Sequence, residues 1–226
     1  MNSWNFSESL KIEFQKKLLV WYSENNRNFP WRESKNFYNI IIAEIMLQKT
    51  NAAKVEKVYP NFIKKYPDFY ALNKASSNNL REEFNYLGLQ NQKAPILKEL
   101  AKKVIIESRH EFFHNKNDLL QIKGIGEYIA NAVMCFAFDK RVPIVDGNII
   151  RILERVFNIK SSKKNARSDI KIWKNMEKLL PVDNFKDFNY ALLDFAALIC
   201  TFYNPRCDEC FLPKDCFYFN KLLIKN

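Results

Sequence analysis

Leu120-Gln-Ile-Lys-Gly-Ile-Gly-Glu-Tyr-Ile-Ala130 ends one helix, turns on two glycines and starts another. The chain has only four glycines, at 88, 124, 126 and 147, so each should stand where the backbone needs a positive φ or a close approach. A turn of this kind leaves N–H groups free at a helix N-terminus, where the helix dipole favours an anion. Lys123, Gly124 and Gly126 would then face a phosphate with little side chain in its way. Taken alone, the pattern reads equally well as an ordinary tight turn. Its partner is Val145-Asp-Gly-Asn-Ile-Ile-Arg151, which places an acid at the mouth of the next helix. Asp146 is most simply an N-cap there. The helix dipole and backbone donors would also hold its carboxylate ionised, as stabilisation of a developing positive charge requires.

Outward from this hairpin nearly every segment has helical period. Leu10, Phe14, Leu18, Trp21 and Tyr22 share one face, behind Ser7 and Ser9 as candidate caps. Further helices are expected from Tyr38 to Lys49, Asn51 to Tyr66, Ser76 to Tyr86, Lys93 to Ser108, Ile125 to Phe138, Asn148 to Phe157, Lys164 to Leu180 and Phe185 to Cys200. No run of strand alternation, repeat or low-complexity linker interrupts them, so the expected class is all-α.

The 226 residues are 47% hydrophobic, enough for one large domain or two small ones. A net charge of +11 points to a polyanionic partner, nucleic acid first, although a lysine-rich surface from a biased genome would give the same number. No apolar run reaches the length of a membrane span, and no secretion or transit leader is recognisable. A cytoplasmic, nucleoid-associated monomer is the simple expectation.

Four of the five cysteines follow Cys200-x6-Cys207-x2-Cys210-x5-Cys216. Thiolates crowded this way suit an iron–sulfur cluster or a structural zinc; disulfides are the bland alternative in a reducing compartment. All-cysteine zinc sites usually use two close pairs, and here only Cys207 and Cys210 form one. Zinc stays open on thiolate count alone.

The cysteine spacing resembles the cluster loop of endonuclease III and MutY type DNA glycosylases. The hairpin followed by Val145-Asp-Gly-Asn148 is similar to the signature of the helix–hairpin–helix glycosylase superfamily. Phe29-Pro-Trp-Arg32, Ala43-Glu-Ile-Met-Leu-Gln-Lys-Thr50 and Asp194-Phe-Ala-Ala-Leu-Ile-Cys200 also look like motifs of the MutY branch. This resemblance runs from about Phe29 to Cys216. It implies two helical lobes flanking a DNA-binding cleft: residues 1–28 with 140–226 as the cluster lobe, and 29–139 as the lobe carrying the hairpin at about 116–138. It implies a [4Fe-4S] cluster on Cys200, Cys207, Cys210 and Cys216, with Arg206 and Lys214 on a basic loop. The partner it implies is double-stranded DNA containing a mismatch.

By the same resemblance Glu44 serves the leaving base or positions water, and Asp146 stabilises an oxocarbenium-like transition state, as paired carboxylates do in glycoside hydrolysis. Read alone, Glu44 among apolar neighbours is a buried or salt-bridged carboxylate. Tyr128 stands where endonuclease III-like enzymes carry a Schiff-base lysine, which implies a monofunctional glycosylase. Its plain alternative is a packing residue on the first turn of a helix. His110 and His114 receive no catalytic role. For base choice, Gly88-Leu-Gln-Asn-Gln-Lys-Ala94 and Lys49 after Gln48 are similar to enzymes acting on thymine opposite guanine. The ten residues after Cys216 are too few for an added opposite-strand domain. Gln48 or Lys49 would fill the vacated stack, with Gln90 and Asn91 toward the orphaned guanine. Adenine excision is the rival, since Glu44 and Gln48 suit it equally; a bifunctional lyase and a non-catalytic DNA-binding module stand further off.

Overall fold

A computed structural model describes residues 6–106 and 115–225, and every regular element among them is helical. His110 and His114 lie outside the described residues. The chain divides into two compact units, one of residues 28–140 and one of residues 1–27 with 141–226.

In the unit of residues 28–140 the central element is α2 (Phe37–Leu47), in which Tyr38 and every residue from Ile40 to Met46 are buried. A helix apolar on all sides must be surrounded. α3 (Ala52–Lys65), α6 (Gln90–Ile106) and α8 (Glu127–Phe136) pack against it, and α4 (Phe69–Lys74) and α5 (Ser77–Glu83) cover α6. Asn36, Asn51, Asp68 and Ser76 each cap the helix that follows, their side-chain oxygens accepting a first-turn N–H. The short α7 (Lys116–Leu120) leads into the glycine turn and α8.

In the other unit α1 (Glu8–Asn25) lies along α11 (Phe185–Leu198), and α9 (Gly147–Phe157) packs on α11 and on α12 (Phe217–Lys225). Ser7 caps α1. Phe14 and Leu18 enter a core with Ile149, Ile152, Leu153, Phe188, Leu192 and Phe195. Phe14 meets Phe157 edge-on at 5.1 Å between ring centroids. Asp194, fully buried on α11, accepts Arg27 Nε at 2.6 Å and the Arg27 backbone N–H at 2.9 Å.

Several expectations need correcting. The helix anticipated from Lys164 to Leu180 begins only with α10 at Ile170. Asp169 stops it sooner by accepting from the Lys171 N–H at 3.0 Å and from Ser161 and Ser162, so 164–169 forms a loop and a short 3-10 turn at Ala166–Ser168. α2 ends at Leu47, and Lys49 turns back with φ 51°. Gly88 and Gly124 have positive φ, but Gly126 does not: at φ −104° it is extended, and a Cβ there would meet nothing within 4 Å. α7 is the helix expected to end at Leu120; α4 and α12 were not anticipated.

Candidate active site

Asp146 is the N-cap of α9. Its Oδ1 accepts the backbone N–H groups of Asn148 and Ile149, both at 2.8 Å, and its Oδ2 accepts Asn148 Nδ2 at 2.8 Å. Three donors therefore fix a half-buried carboxylate whose position depends on α9 itself. Asn148 is held in turn: Arg151 Nη1 donates to its Oδ1 at 3.0 Å. The same guanidinium donates Nε to the Cys200 carbonyl and Nη2 to the Ala196 carbonyl, both at 2.9 Å. A continuous chain of hydrogen bonds thus joins Asp146, Asn148 and Arg151 to the backbone of Cys200. Asn148 and Arg151 escaped the sequence reading as functional residues, although their i, i+3 spacing within the quoted motif was a signal.

The four clustered cysteines carry no disulfide. Arg155 donates to the carbonyls of Thr201 at 2.6 Å and Phe202 at 2.9 Å, and its Nη1 lies 3.7 Å from Cys200 Sγ. The Cys216 thiol donates to the Arg155 carbonyl at 3.4 Å. Burial pushes the Cys210 thiol up to about 11 and raises Cys207 and Cys216, and the neighbouring thiols repel one another's negative charge. A bound cation centre favours the thiolate form of its sulfur ligands. An all-sulfur donor set beside two guanidiniums that can neutralise its charge fits an iron–sulfur cluster. Among the described residues no three His, Cys, Asp or Glu side chains converge tightly enough to hold a metal ion as they stand. Arg206 is exposed, with Nε on the Leu198 carbonyl and Nη1 paired to Glu209, while Lys214 is exposed.

Within residues 28–140, Glu44 is 4% exposed in the middle of α2. One turn later α2 ends in the Gln48–Lys49 turn. Gln48 Nε2 donates to the Gly124 carbonyl at 2.8 Å, which ties this turn to the glycine hairpin. Lys49 is exposed. Lys123, Gly124 and Gly126 are exposed, and no side chain caps the N-terminus of α8. Tyr128 is half-buried in the first turn of α8. Gln90, half-buried, and Asn91, exposed, open α6 immediately after Gly88 and Leu89, both at positive φ. Lys93 was missed: it is fully buried, with Nζ donating to the Met46 carbonyl at 2.8 Å and to Thr50 Oγ1 at 2.5 Å. The available signal was a lysine in register with Leu97 and Leu100 on an apolar helix face.

A thymine/uracil-DNA glycosylase of Methanothermobacter thermautotrophicus is 36% identical over 92% of this chain and 94% of its own length. The solved structure of a thermostable thymine-DNA glycosylase superposes with a TM-score of 0.87 at 35% identity, over 94% of this chain and 98% of that one. An adenine DNA glycosylase of Buchnera aphidicola subsp. Schizaphis graminum is 33% identical over 92% of this chain and 60% of its own length. The model of the HhH-GPD superfamily base excision DNA repair proteins matches residues 42–178. With its glycine hairpin, its helix-capping Asp146 and its all-helical fold, the chain belongs to the HhH-GPD superfamily of base excision DNA repair proteins.

Proposed function

We propose that this chain is a monofunctional DNA glycosylase that removes thymine or uracil opposite guanine in double-stranded DNA, acting as a monomer. The observation that carries the reading is Asp146, a carboxylate held by three hydrogen bonds at the mouth of α9. Those bonds fix where the carboxylate stands relative to the helix end. In this reading the C1′–N bond breaks heterolytically and its electron pair leaves with the base. Asp146 stabilises the positive charge left on the sugar, and the oxygen of a water molecule then bonds to C1′. The water's proton passes by way of Glu44 to the departing base or to solvent. Tyr128 offers no amine, so no Schiff base with the sugar is expected.

Binding is assigned to the uncapped N-terminus of α8, where the backbone at Gly124 and Gly126 takes a DNA phosphate, with Lys123 beside it. Extruding the base costs a few kcal/mol, less at a mismatch. Lys49 and Gln48 fill the gap, and Gln90 and Asn91 face the unpaired guanine. Cys200, Cys207, Cys210 and Cys216 would hold a [4Fe-4S] cluster that shapes the loop around Arg206 and Lys214. Similarity to a thymine/uracil-DNA glycosylase and a thymine-DNA glycosylase over nearly their whole length supports the base assignment.

A second reading, excision of adenine opposite guanine or 8-oxoguanine, is favoured by the identity to an adenine glycosylase. Single-turnover assays on duplexes carrying T·G, U·G, A·G and A·8-oxoG, each followed by alkali, separate the two. Product from the first pair alone is expected, with no covalent complex trapped by borohydride. Product from the adenine duplexes alone makes the second reading correct, and none from any duplex defeats both.

A further inference from the structure

Lys93 is a cation without an assigned use. It lies at the end of the first turn of α6, fully buried, and burial pushes its ammonium down to about 8. Its two oxygen partners are neutral. A buried charge without a carboxylate beside it is costly, so what it holds in place is informative. The Met46 carbonyl is among the last of α2, where the negative end of the helix dipole attracts a cation. Thr50 closes the turn that follows: its backbone N–H donates to the Leu47 carbonyl at 3.1 Å. Its hydroxyl lies 3.2 Å from the Gln48 carbonyl and 3.1 Å from the Leu87 carbonyl, close enough to donate to either. One ammonium therefore spans both ends of the Leu47-Gln48-Lys49-Thr50 turn. Inside that turn Lys49 sits at φ 51°, a conformation that L side chains avoid and that persists only when its surroundings impose it. The same turn sends Gln48 to the Gly124 carbonyl of the hairpin.

We propose that Lys93 is a positioning residue: seated on the Met46 carbonyl and the Thr50 hydroxyl, it holds the Gln48–Lys49 turn in the strained conformation that presents Lys49 to the base stack. This rests on the glycosylase reading for its consequence, but the mechanical claim stands apart from it. The Lys93 side chain acts from behind the turn and need not touch DNA. Its length matters: an ammonium on four methylenes reaches from α6 to one oxygen at the end of α2 and one in the turn that follows.

Lys93→Met keeps the apolar stem and removes both the charge and the donor; Thr50→Val removes the other end of the strut with little change of shape. The first measurement is hydrogen exchange by mass spectrometry on the whole protein. Peptides covering residues 47–51 should exchange at least tenfold faster in either variant, with 37–45 unchanged. Unchanged exchange at 47–51 overturns the proposal, as does a uniform acceleration across α2. The second is single-turnover excision of uracil, either paired with guanine or placed opposite an abasic analogue, where no pair has to be broken. Lys93→Met should lose tenfold or more on the paired target and less than threefold on the unpaired one. Equal losses on both would mean that Lys93 serves folding or chemistry in general and would overturn the positioning role. If the unaltered protein excises nothing from any duplex, the functional reading fails while the exchange experiment still decides whether the strut exists.

Discussion

Asp146 and Lys93 are two charged side chains with opposite relations to their surroundings. Asp146 is surrounded by donors, so Asp146→Asn changes the charge with little change of shape: its Oδ1 can still accept the two backbone N–H groups, and only the contact with Asn148 Nδ2 must rearrange. Single-turnover excision should fall by about two to three orders of magnitude while mismatch affinity stays within a few fold. A normal rate in that variant would remove Asp146 from the mechanism. Lys93 instead lacks a counter-charge, and its folded-state value of about 8 lies below the unfolded value near 10.4. The unfolded chain therefore keeps a proton that the folded chain has released between those values. Stability from this residue rises with pH across the window, and below pH 8 the cost of the buried charge is present in full. The melting temperature of Lys93→Met relative to the unaltered protein should accordingly be highest below pH 8 and decline toward pH 10. The free-energy span of that change is on the order of 2 kcal/mol. A difference that does not vary with pH would show that Lys93 is not titrating there.

Among the elements, α9 is the one whose two faces do different work. Its buried face, Ile149, Ile152, Leu153, Val156 and Phe157, enters the core, while Asp146, Asn148, Arg151 and Arg155 form a polar row toward the cysteine loop. Arg151 and Arg155 together take five contacts to backbone carbonyls or sulfur at residues 196–202, so the loop and the helix should lose order together. Cys207→Ser is expected to remove the broad visible absorbance of an iron–sulfur cluster and to lower soluble yield. If that variant purifies colourless but folded, with full activity, the loop does not depend on a cluster. The sequence made most elements legible because polar caps and apolar periodicity agreed, as at Ser7, Asn51 and Ser76. It failed at 164–169, where charged residues continue a helical pattern but Asp169 binds two serines behind it and closes a loop. α4 is a short segment of six residues, too brief for a period to show. Residue types with a chemical signature, the cysteines, Asp146 and Glu44, could be proposed from the sequence. Lys93 and Asn148 were not, because their importance lies in partners distant in the chain or in a network that spacing alone does not reveal.

On the scale of the whole molecule, one unit is assembled from both ends of the chain, so α1 must find α11 across most of the sequence. Such long-range pairing costs loop-closure entropy before any contact repays it. The Arg27–Asp194 pair ties the chain just after α1 to the middle of α11, and its carboxylate is fully buried. Asp194→Ala removes the acceptor of the Arg27 Nε and of the Arg27 backbone N–H. Urea unfolding should show a loss of roughly 3 kcal/mol. A loss below about 1 kcal/mol would mean that Arg27 finds solvent easily and that the ends are joined by apolar packing alone.

The two hairpin glycines carry a consequence for how this chain tolerates change. At Gly124 a Cβ would come within 2.4 Å of Ile96, and φ is +96°, so trimming Ile96 would relieve the crowding and leave the backbone strain. No second substitution should rescue that position, whatever the selection. Gly126 has ordinary backbone angles and open space, so the protein's own folding does not forbid a side chain. Gly126→Ser would even give α8 the cap that it lacks, and should raise thermal stability slightly. In a library of variants sorted once for folding and once for repair in cells, position 124 should be closed in both sorts, and position 126 open in the first and closed in the second. The difference between those two tallies is a footprint of the DNA backbone, recorded in amino-acid preferences. If 126 stays open in both, no phosphate approaches there.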